Sequence, residues 1–334
     1  MNTAVTGIGS WPGEDFAATQ RLLFGELPDL PHLAELPTRG ITADMIGRTI
    51  AVVAELGLDL QPAGWRVTDA PGIDHRRAKA RWREDLDLLE ETAQGYAGRF
   101  KIGFTGPWTM AAMIERPRGD RMLADHGARR DLAGALAEGI AGALGELHRR
   151  LPELDLVLQL DEPLLPRVRD GRIRTASGFS RFRSIDLPEL SGTLSETLAT
   201  ARRAYAGTLP TALHCCAPGL NPEEVFGAGF DAVSLPADLL DTATLDRLGP
   251  AIEAGHALWL GVAPTQVVDQ PLRPDRLAEL TLRLLRPLEL GEAWTDRLVL
   301  TPACGLAGWT QRPAVTLVRH LREAAQIVDD ELAR

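Results

Sequence analysis

His214 and Cys216 stand one residue apart in Leu213-His214-Cys215-Cys216-Ala217-Pro218-Gly219, and the only other cysteine of the chain is Cys304. Imidazole and thiolate both suit zinc, and a His-x-Cys pair is half of a ligand set for that ion. Buried cysteines are also common as plain core residues. The argument for a site is positional: all three cysteines come directly after short apolar runs, Thr208 to Leu213 and Leu298 to Thr301. Such runs read as buried strands, and Pro218-Gly219 stops the first of them. Alternate residues of a strand share a face, so His214 and Cys216 point one way and Cys215 the other, into packing. A third apolar run, Leu154 to Leu160, delivers Asp161-Glu162 in the same manner. Adjacent carboxylates there could hold an ammonium group, orient a metal-bound histidine or trade protons. Ser10 follows the first apolar run, Thr3 to Ile8.

These residues need a scaffold that brings many strand ends together. Further strands are expected at Leu60 to Thr68, Arg99 to Phe104, Phe230 to Leu235 and His256 to Val262, with helical stretches between them. Pro28, Pro31 and Pro37 mark a loop, and Arg167 to Arg174 alternates about Asp170-Gly171 as a small hairpin inserted after a strand. Close to eight strand-helix units without a linker predict one α/β domain over residues 1–334, a (β/α)8 TIM barrel whose active site lies at the carboxyl ends of the strands. A doubly wound open sheet is the alternative, but no G-x-G-x-x-G fingerprint is present. Trp11 and Trp108 are read as core or lid aromatics, and His32, His75, His126, His148 and His320 as surface residues.

The chain has 334 residues, 45% hydrophobic and 25% charged, with a formal charge of −10. An acidic surface attracts neither nucleic acid nor an anionic membrane, so neither is expected as a partner. Three cysteines make no disulfide framework and point to a reducing compartment. The stretch from Met1 to Gly7 lacks the pattern of a secretory signal, and no apolar run is long enough to span a membrane, so the cytoplasm is the expected setting. Neither a G-x-S-x-G elbow nor a phosphate-cradling Gly-Lys-Ser/Thr loop occurs, which removes serine-hydrolase and nucleotide-hydrolase readings.

Thr6-Gly7-Ile8-Gly9-Ser10-Trp11-Pro12, Thr105-Gly106-Pro107, Gln159-Leu160-Asp161-Glu162-Pro163, His214-Cys215-Cys216 and Ala303-Cys304-Gly305-Leu306 follow one another along essentially the whole chain. In this order they resemble the catalytic barrel of cobalamin-independent methionine synthase, within the superfamily that includes uroporphyrinogen decarboxylase. The resemblance implies that His214, Cys216 and Cys304 bind zinc, that Ile8, Gly9 and Ser10 hold the carboxylate of homocysteine, and that Asp161 holds its ammonium group. It implies a methyltransferase of the 5-methyltetrahydropteroyltriglutamate–homocysteine type, with a small-molecule thiol as acceptor. The donor would be a folate or a methyl-corrinoid, free or carried on a corrinoid protein.

Two departures accompany the resemblance. The family carries a zinc-binding Glu at the end of the strand after the His-x-Cys strand, where this chain has Pro236, with Asp238 two residues on. Asp238, Glu162 or solvent is then left to complete the metal's shell. The family also has a substrate-holding Glu after the first loop, and Leu36 to Thr42 contains none. A metal-free decarboxylase-like lyase and a non-catalytic methionine-related binding protein are the alternatives on the same barrel.

Overall fold

The computed structural model describes residues 3–268, 270–288 and 296–332; Met1 and Asn2 of the amino-terminal stretch lie outside them. In chain order the strands are β1 (Ala4–Val5), β2 (Gly57–Gln61), β3 (Gly64–Thr68), β4 (Gly98–Thr105), β5 (Leu154–Asp161), β6 (Thr211–His214), β7 (Ala232–Pro236), β8 (Ala257–Ala263) and β9 (Leu298–Pro302). Seven of them form one curled parallel sheet, ordered β1-β9-β8-β7-β6-β5-β4. Helices follow the strands on the outside, among them Pro107–Met113, Leu187–Ala204, Thr242–Glu253 and Gln311–Leu332. The architecture is a TIM-barrel-like α/β fold. Thr3, just before β1, is tied to the last helix: its amide and hydroxyl reach Asp329 at 2.9 and 2.6 Å.

The stretch from Leu60 to Thr68, expected as a strand of the barrel, is not in the main sheet. β2 and β3 pair antiparallel in a separate two-stranded sheet, with the turn between Gln61 and Gly64, and β3 is bridged on its other side to Glu115. The space between β1 and β4 is filled by residues 31–35, within the proline-rich stretch expected to be loop. Leu33 N donates to Lys101 O at 2.8 Å and Lys101 N to Pro31 O at 2.8 Å, while on the other side Trp11 N donates to Glu35 O at 2.8 Å and Glu35 N to Gly9 O at 3.1 Å. Proline lacks an amide donor, so a segment so rich in it makes only scattered ladder bonds and reads locally as loop.

The hairpin expected over Arg167 to Arg174 is also displaced. Leu165–Arg169 is a short helix that ends at the Asp170-Gly171 turn. The antiparallel pairing comes later, between Arg174 and Arg181. Helix formation through Arg169 uses the alternating residues with a different period, and the hairpin then closes on Ser177-Gly178. Trp11 and Trp108 are core residues, each 1% exposed. His32 and His75 were expected at the surface and are buried instead.

Strand alternation divides the sheet's side chains between two clusters. Leu156, Leu158, Leu213, Val233, Leu258 and Leu300 belong to the large core beneath the helices. Val157, Ala212, Ala232, Trp259 and Val299 form a smaller cluster with Ala4 and Leu30, which plugs the inside. Two residues further along β5, β6, β7 and β9 the inward side chains turn polar: Gln159, His214, Ser234 and Thr301, all buried. This layering places polar chemistry on an apolar floor at the carboxyl end of the sheet.

Candidate metal centre

β6 and β7 pair in register, with His214 opposite Ser234. His214 Nδ1 lies 2.9 Å from Ser234 Oγ, which fixes the ring. The other ring nitrogen, Nε2, is buried and has no hydrogen-bond partner. Past the end of β6, Cys216 Sγ approaches Cys304 Sγ to 3.2 Å, and ligand atoms of His214, Cys216 and Cys304 all lie within 4.8 Å of one another. Cys215 points the other way, fully buried in the large core, and burial pushes its thiol up to about 12. The alternation expected from the sequence separates Cys215 from His214 and Cys216, as the grouping of their side chains shows.

The donor set fits a zinc ion. A buried imidazole nitrogen without a partner leaves a polar atom unsatisfied at a cost of about 1–3 kcal/mol, which a metal bond removes. A ligand histidine typically has its second nitrogen held, as Ser234 holds Nδ1 here. The hydrogen bond between the two thiols lowers Cys304 and raises Cys216. That direction favours a thiolate at Cys304 over one at Cys216. Among the described residues no fourth His, Cys, Asp or Glu joins the group. Asp238 is exposed on the turn Ala237–Leu239, directly after the end of β7.

The turn expected to hold a carboxylate packs against Gly305 and Leu306, next to Cys304. A Cβ on Gly305 would fall 1.9 Å from Ser10 Oγ, so only glycine permits Ser10 to sit beside Cys304. The Ile8 carbonyl accepts from Lys101 Nζ at 2.7 Å and from Gln159 Nε2 at 2.9 Å. Gln159 also donates to Asp161 Oδ1 at 2.7 Å. Asp161 stands opposite His214 in the β5–β6 register. Desolvation raises its carboxyl, and His214 and Lys101 oppose that shift.

Glu162 does not share the role expected for it beside Asp161. It is fully buried, and its two oxygens accept from Trp108 N and Thr109 N at 2.8 Å each, with Thr109 Oγ1 at 2.6 Å. The carboxylate caps the helix Pro107–Met113 and is not part of the His214, Cys216 and Cys304 group. The neighbours of a strand residue point to opposite sides, which is why Asp161 and Glu162 separate.

Two residues of the site were not singled out in the sequence. Glu35 stands next to Ser10 through the backbone bridge between them. Desolvation pushes its carboxyl up to about 8, Arg48 opposes this, and Asp161 and Cys304 reinforce it. It lies one residue before the stretch Leu36 to Thr42, which contains no Glu. Lys101 is 1% exposed inside the barrel, with Nζ 5.7 Å from the Trp259 ring centroid, and burial lowers its ammonium to about 7. Its readable signal was a lysine at an inward position of a strand with few charges.

With that geometry established, known structures provide a match. A B12-independent methionine synthase from Shewanella sp. W3-18-1, solved in complex with selenomethionine, aligns over 100% of this chain and 99% of its own, with a TM-score of 0.62 and 15% identity. This chain has its fold. The xylanase B of Clostridium stercorarium F9 aligns over 67% of this chain at a TM-score of only 0.34 and 10% identity. No family model matches the sequence, and no curated protein does. Among the described residues no helix is long and apolar enough to cross a membrane.

Proposed function

We propose that this protein is a zinc-dependent methyltransferase that moves a methyl group to a thiol, with homocysteine as acceptor and methionine as product. The observation that carries the reading is the convergence of His214, Cys216 and Cys304, with one imidazole nitrogen held by Ser234 and the other left for a metal. The match in fold to a B12-independent methionine synthase supports it. We also read the main sheet as a (β/α)8 barrel in which residues 31–35 take the eighth place.

In this reading His214, Cys216 and Cys304 hold zinc. The bound metal would supply Lewis acidity that keeps the acceptor thiol, with an ordinary pKa of roughly 8.5, in its nucleophilic thiolate form at neutral pH. Three protein ligands leave a coordination position for that thiol. Asp161 and Glu35 face the acceptor's ammonium group, and the Ile8–Ser10 turn faces its carboxylate. A cation between Asp161 and Glu35 would favour the ionised form of both carboxyls, which desolvation disfavours when the site holds none. The methyl donor is a folate or a methyl-corrinoid, free or protein-bound.

The test is metal analysis followed by a thiol-dependent assay. Purified protein is expected to carry close to one zinc per chain and to methylate homocysteine from at least one of methyltetrahydrofolate, its polyglutamates and methylcobalamin. Protein that takes up no zinc under reducing conditions would refute the reading.

A further inference from the structure

The acidic chain carries a concentrated basic segment after β5. Between Pro166 and Ile185 there are six arginines and a single aspartate, in a protein of formal charge −10. The segment leaves the end of β5 just after Asp161, so it belongs to the face of the barrel that bears the metal centre. It is folded. Thr175 N donates to Ser180 O at 3.0 Å and Phe182 N to Ile173 O at 2.9 Å, which closes a small hairpin. Ile173 is buried and Phe182 packs on the core, which fixes the hairpin's inner side. Gly171 has a φ of +63°, and a Cβ there would lie 2.8 Å from Ser184 N, so the base of the hairpin closes only with glycine. Its shoulder is held by Asp120, whose two oxygens accept from Ala176 N at 3.0 Å each.

Alternation about Ile173 and Phe182 puts Arg172, Arg174, Arg181 and Arg183 on the opposite, outer side, and all four are exposed. Arg174 and Arg181 are direct cross-strand partners. Like charges opposite each other across two strands destabilise the pairing. Arg172 has Asp170 at 3.5 Å, but among the described residues no carboxylate lies within 4.0 Å of Arg174, Arg181 or Arg183. At the tip Phe179 is 97% exposed. Arginine and aromatic side chains are the residue types that most often anchor protein interfaces. An arginine pair with no carboxylate in contact, beside an exposed aromatic, presents a face complementary to an acidic ligand with an apolar side chain.

We propose that the hairpin Arg172–Arg183 is a docking surface for an acidic segment of another protein, with Phe179 as the apolar anchor. A protein partner suits the patch better than a nucleic acid, because the basic area is small and a long polyphosphate would also face the acidic remainder of the surface. The same remainder favours a partner whose negative charge is local. The proposal does not depend on the methyltransferase reading, since it rests on this hairpin alone.

Fluorescence anisotropy with a labelled glutamate-rich peptide containing interspersed leucines tests it on the full chain. Binding is expected at low ionic strength and should weaken as salt is raised. Arg174→Glu/Arg181→Glu should weaken it at least about tenfold. Phe179→Ser should weaken it several-fold while leaving the circular dichroism and zinc content unchanged, since that ring is 97% exposed and contributes little to folding. Absence of peptide binding by the parent protein, or unchanged binding in both variants, overturns the proposal. So does tighter binding of a single-stranded oligonucleotide of equal charge, which would make the surface a nucleic-acid site. Self-association abolished by the same substitutions also overturns it, by making a second copy the occupant.

Discussion

Lys101 Nζ donates to the Ile8 carbonyl at 2.7 Å across 93 positions of sequence, and to Gln159 Oε1 at 2.5 Å. Gln159 in turn holds Asp161 Oδ1. One buried ammonium therefore fixes both the turn proposed for the acceptor's carboxylate and the carboxylate proposed for its ammonium group. Lys101→Met removes the donor while nearly keeping the shape, leaving the Ile8 carbonyl one bond short. It should weaken methionine binding by about tenfold or more, on the scale of a charge-assisted hydrogen bond, with zinc content unchanged. Calorimetry giving equal affinities would show the network to be structural only.

Zinc content should separate the three cysteines. Ala at His214, Cys216 or Cys304 should remove most of the metal, and Cys215→Ala should retain it. Ser234→Ala frees Nδ1 of His214 and should lower zinc affinity about 10- to 100-fold, the usual effect of losing such a support. Asp238→Ala should leave affinity within error of the parent, since Asp238 is exposed and outside the ligand group. A steep loss in the Asp238 variant would make it a fourth ligand.

Asp161→Asn and Glu35→Gln should each weaken homocysteine or methionine binding about ten- to a hundredfold without loss of zinc, since each removes one charged acceptor. Binding can be followed by calorimetry on zinc-loaded protein. If Glu35→Gln binds as tightly as the parent, the proposed site is reduced to Asp161.

Glu162→Ala should act on stability and leave the metal in place. It strands the buried amides of Trp108 and Thr109 and removes a helix cap, for about 2–4 kcal/mol together. Urea denaturation that shows less than about 0.5 kcal/mol of change would mean that solvent replaces the carboxylate at that cap.

His75 should make the protein acid-sensitive. Its Nδ1 accepts from Leu58 N at 3.2 Å, and desolvation lowers the imidazole to about 4. An unfolded histidine binds its proton at about 6.5, so between that pH and 4 the unfolded state holds more protons, and stability falls as the pH falls. At pH 5 the loss from this group is about 2 kcal/mol. His75→Gln can still accept from Leu58 N but cannot titrate, and its stability profile should be flatter over that window. Parallel profiles for the two proteins would rule out His75 as a source of the acid sensitivity.

Much of the metal group could be read without coordinates, because it depends on local rules. A strand that ends in His-Cys-Cys-Ala-Pro-Gly must present His214 and Cys216 on one side and Cys215 on the other, whatever it packs against. Cys304 and Asp161 were recognisable in the same way, from apolar runs that stop at a polar residue. Residues 31–35 were not, since their place between β1 and β4 depends on hydrogen bonds to Gly9, Trp11 and Lys101, and three prolines conceal any strand period. Glu35 went unnoticed with them.

The sequence alone determined the α/β class and the facing of His214, Cys215 and Cys216 past the end of their strand, since backbone geometry imposes these over a few residues. Only the tertiary structure decided which of those side chains meet. It joined Cys304 to Cys216, turned Glu162 toward the amides of Trp108 and Thr109, enclosed Lys101, and set residues 31–35, rather than Leu60 to Thr68, between β1 and β4. Such contacts link segments far apart in the chain, and burial and close packing select them from many pairings that local sequence leaves equivalent.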